Sequence, residues 1–353
     1  MARKRRSTVA VTGAAGYIAG RLIRLLDADD RIERILGFDA RRPRLDAQKL
    51  IFDEDDVRSE ALAARLSGVD VVVHLAFVMD PIKDESLMRD VNVNGSQNVF
   101  RAAGKAGVGK LVYTSSAVAY GAHPDNDVPL TEESPLRANL DFSYPAHKLE
   151  VEYVLKEVQS DFPELKMVVL RPSIVFGPNT DNAWSHALES PFLLGVNGHR
   201  PPLQFVHEED VAAALFFSCT EPIEGYFNVA ADGWLELSEI LSLLKRRRIE
   251  VPEPVAFALM ERMWRMGWSD APAGMLHYLM HPWVVSNAKL TEAGFKPAHS
   301  NEEALQAVID KTRDHVRIGG RRVRRSDVSK VAIAGAGVAT TAALVRAIRA
   351  RRA

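Results

Sequence analysis

The sequence predicts an α/β protein, a doubly wound parallel sheet with helices on both faces and a smaller C-terminal part that binds substrate. Three observations predict it. Apolar strand runs alternate with helical spacing through the first half, a glycine-rich turn joins the first strand to the first helix, and an acidic residue closes the second strand.

The first strand, over 8–12, breaks into Thr12-Gly13-Ala14-Ala15-Gly16, and helical spacing resumes over 17–27. Gly13 and Gly16 can adopt backbone angles closed to other residues and let the main chain approach a pyrophosphate. The helix start aims free N–H groups and a partial positive charge at the same spot. Glycines alone fit an ordinary βα turn. The second strand, 35–39, adds Asp39, 26 positions after Gly13, where a carboxylate can accept bonds from adenosine ribose hydroxyls. A third apolar strand over 71–76 completes a βαβ nucleotide-binding half.

Further strands fit at 49–52, 110–115 and 167–171, and helices at 59–67, 86–106 and 144–160. Ligands of such sheets sit at the carboxyl ends of the strands, which directs attention to Thr12, Asp39, Ala76, Ser116 and Pro172. Beyond 172 the pattern loosens, with short strands at 203–207 and 225–229 and helices at 211–219 and 237–246. The expected organisation is a Rossmann domain over 7–178, mainly substrate-binding segments over 179–316, and a basic tail over 317–353 with a short apolar helix. The segments after 172 are not expected to fold as a separate unit.

One cysteine in 353 residues, Cys219, excludes an internal disulfide and suits a reducing cytosol. The basic N-terminus leads into no signal-peptide core, so a cytoplasmic protein is expected. The net charge of −1 conceals an asymmetry: the chain from Arg317 onward carries +9, and the rest −10. A solvated tail is the favoured reading. The uncharged run 331–345 is short for a spanning helix but suits a weak, peripheral membrane or partner contact. No nucleic-acid partner is expected.

The strand over 110–115 ends in Ser115-Ser116, and Tyr144-x-x-x-Lys148 begins 28 positions after Ser116. With Thr12-Gly13-x-x-Gly16, His74-Leu75-Ala76 and Arg171-Pro172, these motifs resemble the extended short-chain dehydrogenase/reductases, including the NAD-dependent epimerase/dehydratase family. The similarity covers roughly residues 8–310, including Phe205-Val206-His207 and Gly225-Tyr226-Phe227-Asn228-Val229. Any one motif is weak evidence; the set is specific. The resemblance implies an NAD cofactor, a small-molecule substrate and a homodimer. It implies catalysis by Ser116, Tyr144 and Lys148, with Lys148 also holding the nicotinamide ribose. Gly13, Gly16, Tyr17 and Ile18 would line or flank the pyrophosphate, Asp56 and Val57 the adenine, and Ala76 and Pro172 the rest of the cofactor. Ala19 stands where the family has its third glycine, a change the helix–strand contact allows.

Physical chemistry supports the tyrosine and lysine separately. At i and i+4 they share a helix face. A free phenol, with a pKa of about 10, is a poor base, and a nearby ammonium together with an oxidised nicotinamide would favour its phenolate. Tyr144 would then exchange a proton with the substrate oxygen, which Ser116 positions. Asp39 argues for NAD by repelling a 2′-phosphate, while Arg41, Arg42 and Arg44 leave NADP as the alternative.

Absences narrow the reaction. Dehydratases of this resemblance carry Asp-Glu after the catalytic hydroxyl residue, and related decarboxylases need the glutamate. Here Ala117 and Val118 stand there and carry no proton. Hydride transfer at a secondary alcohol or ketone remains, with nucleotide-sugar 4-epimerisation and a non-enzymatic NAD(P) sensor as alternatives. Gln204 stands where an arginine commonly pairs a diphosphate, with Arg200 four positions earlier. The Met/Trp-rich segment 257–268 suits core packing more than an apolar pocket. His277 and His281, at i and i+4, lack further ligands, so no metal is expected. His207 is expected to fix the turn before Asp210.

Overall fold

The computed structural model describes residues 6–82, 84–189, 193–246, 248–318 and 321–324. The run 331–345 lies outside the described residues. Among them, no helix is long and apolar enough to cross a membrane.

The first half alternates strand and helix: β1 (Ser7–Thr12), α1 (Tyr17–Ala28), β2 (Ile32–Asp39), β3 (Leu50–Glu54), α2 (Leu62–Arg65), β4 (Val71–His74), α3 (Glu85–Arg89), α4 (Gly95–Lys105), β5 (Lys110–Thr114), α5 (Ser143–Asp161) and β6 (Lys166–Pro172). Then follow β7 (Ile174–Phe176), α6 (Ala183–Glu189), β8 (Leu193–Val196), β9 (Phe205–His207), α7 (Glu208–Thr220), β10 (Gly225–Val229), α8 (Leu237–Leu244), β11 (Arg248–Val251) and α9 (Glu253–Arg265). Seven strands form one parallel sheet in the order β10-β6-β5-β4-β1-β2-β3. The doubly wound sheet read from the sequence is therefore present.

Helix periodicity explains how its two faces are covered. Ala19, Leu22, Ile23 and Leu26 form one buried stripe on α1, packed in a single cluster with Val211, Ala214 and Leu215 of α7. Val99, Phe100 and Ala103 of α4 join Val151, Leu155 and Val158 of α5 on the other face. The chain leaves β1 toward β2 on one side and reaches β4 on the other. Their following loops meet at this switch point, which makes a crevice.

The helix expected over 86–106 is not uniform. A π turn over Asp90–Asn94 separates α3 from α4. It faces Asn92 inward, fully buried, where its side chain accepts from the Val78 N–H at 2.7 Å and donates to the Val78 carbonyl at 2.9 Å. The extra residue in that turn thus clamps the loop after β4.

Sequence periodicity missed β7, β8, β11 and α6. Two parallel strand pairs, β7 with β9 and β8 with β11, carry the C-terminal part. Asn301 ties this part together, accepting from the Phe205 N–H at 2.7 Å and donating to the Asp232 carbonyl at 3.0 Å.

Candidate functional site

Gly13 has φ +71°, a left-handed conformation, and a Cβ there would lie 2.6 Å from the Ala76 nitrogen. The glycine is required because the β1 and β4 loops touch at main-chain distance. Gly13→Ala is expected to lower stability by at least about 1–2 kcal/mol from the backbone angle alone, read by urea unfolding; an unchanged midpoint would refute it. Gly16 precedes α1, whose first turn carries neither an acidic residue nor a side-chain cap. First-turn N–H groups lack intrahelical acceptors, so this end attracts an anion.

Asp39 lies at the end of β2 and does more than the sequence suggested. Its carboxylate accepts from the Ala15 N–H at 3.0 Å and the Arg41 N–H at 2.9 Å, fixing the glycine turn from below. Arg41, Arg42 and Arg44 are exposed. Tyr17 and Ile18 open α1 and are partly buried. Burial pushes the Tyr17 phenol well up, with the Glu208 charge adding to the rise and a hydrogen bond with Thr180 opposing it.

Asp56 is held by Arg58 at 2.6 Å, and Arg58 also pairs Asp90 at 2.7 Å. Hydrogen bonds from Arg58 keep the Asp56 carboxyl below the usual range. Val57 is buried against Gly95, where a Cβ would lie 2.6 Å from the Val57 Cγ2. His74 bridges Thr12 Oγ1 at 2.7 Å and Ser96 Oγ at 2.8 Å. Fully buried, it is pushed down to about 3, mainly by desolvation, and stays neutral.

Ser116, Tyr144 and Lys148 come together at the carboxyl end of β5. Ser116 caps a short 3₁₀ turn (Ala117–Tyr120), its Oγ accepting from the Val118 N–H at 3.3 Å. Its hydroxyl favours the Tyr144 phenolate. Lys148 donates to the Thr114 carbonyl at 2.8 Å and sits 3.5 Å from the centre of the Phe77 ring. Phe77 also meets Tyr144 edge to face at 5.9 Å, so one ring from the clamped loop touches both residues. Pro172 ends β6, buried and paired with Val229 of β10.

The electrostatics differ from the sequence expectation. Burial pushes the Tyr144 phenol up to about 12, with the Ser116 hydroxyl opposing. The Lys148 ammonium lies 6.0 Å from the Tyr144 ring centre and does not offset that burial. Lys148 itself is pushed down to about 7 by burial, with Glu152 opposing. A folded value below the unfolded one means the unfolded chain binds the extra proton between the two, so stability gains as pH rises from about 7 toward about 10.5. Melting wild type beside Lys148→Met at pH 6 and pH 9 should therefore show the difference moving in favour of wild type at pH 9. A constant difference would refute the shift.

Behind the site lies a buried ion pair that sequence reading missed. Glu152, fully buried, pairs Arg171 at 2.6 Å and accepts from Ser115 Oγ at 2.6 Å. Arg171 also donates to the Tyr120 hydroxyl at 2.7 Å, which donates to Asn228 Oδ1 at 2.9 Å. The two serines thus have separate duties, Ser115 toward the ion pair and Ser116 toward Tyr144. A signal was present: Glu152 lies four positions after Lys148 and eight after Tyr144, on the same helix face.

Other candidates lie elsewhere. Gln204 is buried and ties the Val285 main chain, accepting from its N–H at 2.8 Å and donating to its carbonyl at 2.9 Å. Arg200 is exposed and reaches Glu250 at 3.4 Å. His277 pairs Asp141 at 2.9 Å, and the His281 ring packs on His199. His207 accepts from the Glu209 N–H at 3.3 Å and stacks on His299. Among the described residues no group of three His, Cys, Asp or Glu side chains is arranged to hold a metal.

A seven-stranded parallel sheet with this glycine turn and Tyr-x-x-x-Lys helix is the architecture of an extended short-chain dehydrogenase/reductase. The model of the NAD dependent epimerase/dehydratase family matches residues 9–230, more than half of the chain, and the protein belongs to that family of enzymes. An uncharacterized Mycobacterium tuberculosis protein is 28% identical over 307 residues, covering 84% of this chain and 82% of its own. An Escherichia coli O157:H7 protein named as N-acetyl-alpha-D-glucosaminyl-diphospho-ditrans,octacis-undecaprenol 4-epimerase is 33% identical over 177 residues, 48% of this chain and 49% of its own. Among solved structures, MoeE5 in complex with UDP-glucuronic acid and NAD superposes with a TM-score of 0.69 at 22% identity, covering 87% of this chain and 99% of its own. A Thermotoga maritima UDP-glucose 4-epimerase superposes with a TM-score of 0.67 at 19% identity, covering 87% and 98%. Likeness at that identity speaks for the fold.

Proposed function

We propose that the protein is an NAD-dependent oxidoreductase acting at a secondary alcohol or ketone carbon, with Tyr144 as acid and base. The observation that carries this is the gathering of Tyr144 and Lys148 around the Phe77 ring at the carboxyl end of β5, next to Ser116, with Lys148 pinned to the Thr114 carbonyl. The crevice residues suit a dinucleotide: an uncapped helix start at Gly16, a glycine turn at main-chain contact with Ala76, and a carboxylate at the end of β2. Asp39 favours NAD over NADP, because a 2′-phosphate there would face its charge.

When bound, the nicotinamide accepts or gives the hydride. Gly13, Gly16, Tyr17 and Ile18 would hold its pyrophosphate, Asp39 the adenosine ribose, Asp56 and Val57 the adenine, and Lys148 the second ribose. Ser116 orients the substrate oxygen. In reduction the Tyr144 hydroxyl gives its proton to that oxygen as the carbon receives hydride; in oxidation it takes the proton back. Ala117 and Val118 are buried and apolar, so nothing beside Ser116 shuttles a proton for water loss.

Nucleotide-sugar 4-epimerisation is a second reading, motivated by the relative named as a sugar-diphospho-undecaprenol 4-epimerase, 33% identical over 48% of this chain. Absorbance at 340 nm separates the two. An oxidoreductase supplied with its alcohol and NAD accumulates NADH, whereas an epimerase interconverts its sugars with no net change. Failure of the protein to quench or shift NADH fluorescence would sink both.

A further inference from the structure

The C-terminal part holds a cavity of about 540 Å³, within the range of small-molecule sites, whose wall begins at Ile174, two residues after Pro172. Its walls come from β7, α6, β9 and α9, with Phe176, Trp184, Leu188, Met260 and Met263 among them. Tyr144 packs against the same apolar cluster as Ile174, Phe176, Ala183, Trp184 and Met275, all of which face the cavity. Leu259 and Trp268 line it while remaining 42% and 54% exposed, so they mark its mouth.

The hydroxyl and ionisable side chains on these walls already have partners. His186 lies between Asp181 at 2.6 Å and Asp270 at 3.1 Å. Arg248 donates to the His199 carbonyl at 2.7 Å and pairs Glu250 at 3.0 Å. Ser269 donates to the Ala271 carbonyl at 2.8 Å. Asp80 carries a charge felt both by Tyr144 and by His186 and Asp270 on the cavity wall. Its carboxyl accepts from the Ala183 N–H and is pushed up by the protein around it, opposed by His186 and reinforced by Asp181 and Asp270. A diphosphate entering here would meet apolar walls, an arginine and a histidine engaged with carboxylates, and the Asp270 carboxylate. Stripping its charges of water without new partners is costly.

We infer that this cavity is the substrate chamber of the enzyme and takes a hydrophobic secondary alcohol or ketone, not a diphosphate-linked sugar. The inference rests on the proposed hydride-transfer reading, because Tyr144 and Ser116 supply the reacting end. The balanced step is ketone plus NADH plus a proton giving alcohol plus NAD⁺. Hydride adds to the carbonyl carbon, and the oxygen takes the Tyr144 proton, which solvent restores. The substrate's apolar body lies between β7 and α9, beneath the mouth at Leu259 and Trp268.

The full-length protein tests this with a series of 2-alkanones from 2-butanone to 2-decanone and NADH, alongside UDP-glucose with NAD⁺. Each methylene buried in the chamber should raise kcat/KM about fourfold until the space is filled. Ala187→Trp, which puts an indole into the chamber, should lower the decanone-to-butanone ratio at least tenfold. A binding assay without cofactor, in which 2-decanone displaces the neutral dye N-phenyl-1-naphthylamine, should show the same chain-length order. A flat alkanone series with UDP-glucose turned over would overturn the chamber while leaving hydride transfer intact. Chain-length-dependent dye displacement with no ketone reduced would uphold the chamber and overturn the hydride-transfer reading. Should Ala187→Trp not fold, the wild-type series and dye assay still decide.

Discussion

Replacing Tyr144 with phenylalanine is expected to reduce turnover by about 10²–10⁴-fold, the span that positioned proton transfer contributes, while NADH still binds. The substitution removes one oxygen from a partly buried side chain, and its packing against Phe77 and Phe142 survives. What disappears is the group that exchanges a proton with the substrate oxygen. Because burial holds this phenol up at about 12, the protein alone does not make it a base near neutrality. The charge that helps must arrive with the oxidised cofactor, so alcohol oxidation should accelerate with rising pH as phenolate forms. Steady-state kinetics in both directions, with NADH fluorescence as the binding control, checks this. Unchanged turnover in Tyr144→Phe would remove the tyrosine from the chemistry.

Substituting Glu152 with alanine is expected to cost about 3–5 kcal/mol of stability, the loss typical when one partner of a buried ion pair is removed. Glu152 is fully inaccessible and Arg171 nearly so, and the guanidinium would be left with Tyr120 as its remaining named partner. The arginine holds its proton tightly, through its bonds to the carboxylate against the pull of burial, so it cannot escape by neutralising. Urea unfolding of wild type, Glu152→Ala and the double variant Glu152→Leu with Arg171→Leu separates the terms. The double variant should recover part of the loss because no lone charge remains inside. A loss under about 1 kcal/mol for the single change would mean water reaches the arginine.

The strand and helix alternation was legible because each early element carries its own period, and α1 buries the stripe its spacing announces. The glycine turn was legible for the same local reason. Its tight contact was not, because Ala76 lies 63 positions from Gly13 and nothing local reports that approach. Strands β8 and β11 are short and pair across some fifty residues, leaving no periodic trace. At Tyr144 spacing shows the neighbouring lysine but not the burial, which within the protein itself is the larger effect. The Met/Trp segment was expected to pack in the core. Part of it does, with Phe257 and Met260 packed against the buried cluster around Ala256, while Met260, Met263 and Trp268 also line the cavity.

The π turn at Asp90–Asn94 makes helix length a constrained quantity. Deleting one residue there would restore regular winding and, because the wide turn is what absorbs the extra residue, leave the downstream face in place while Asn92 loses its inward position. Ser96 and Gly95 would keep their facing, but the Val78 main chain would lose both of its bonds to Asn92. The stretch therefore tolerates exchange of side chains far better than a change in their number, since one missing residue would unlatch the loop that presents Phe77 to both Tyr144 and Lys148.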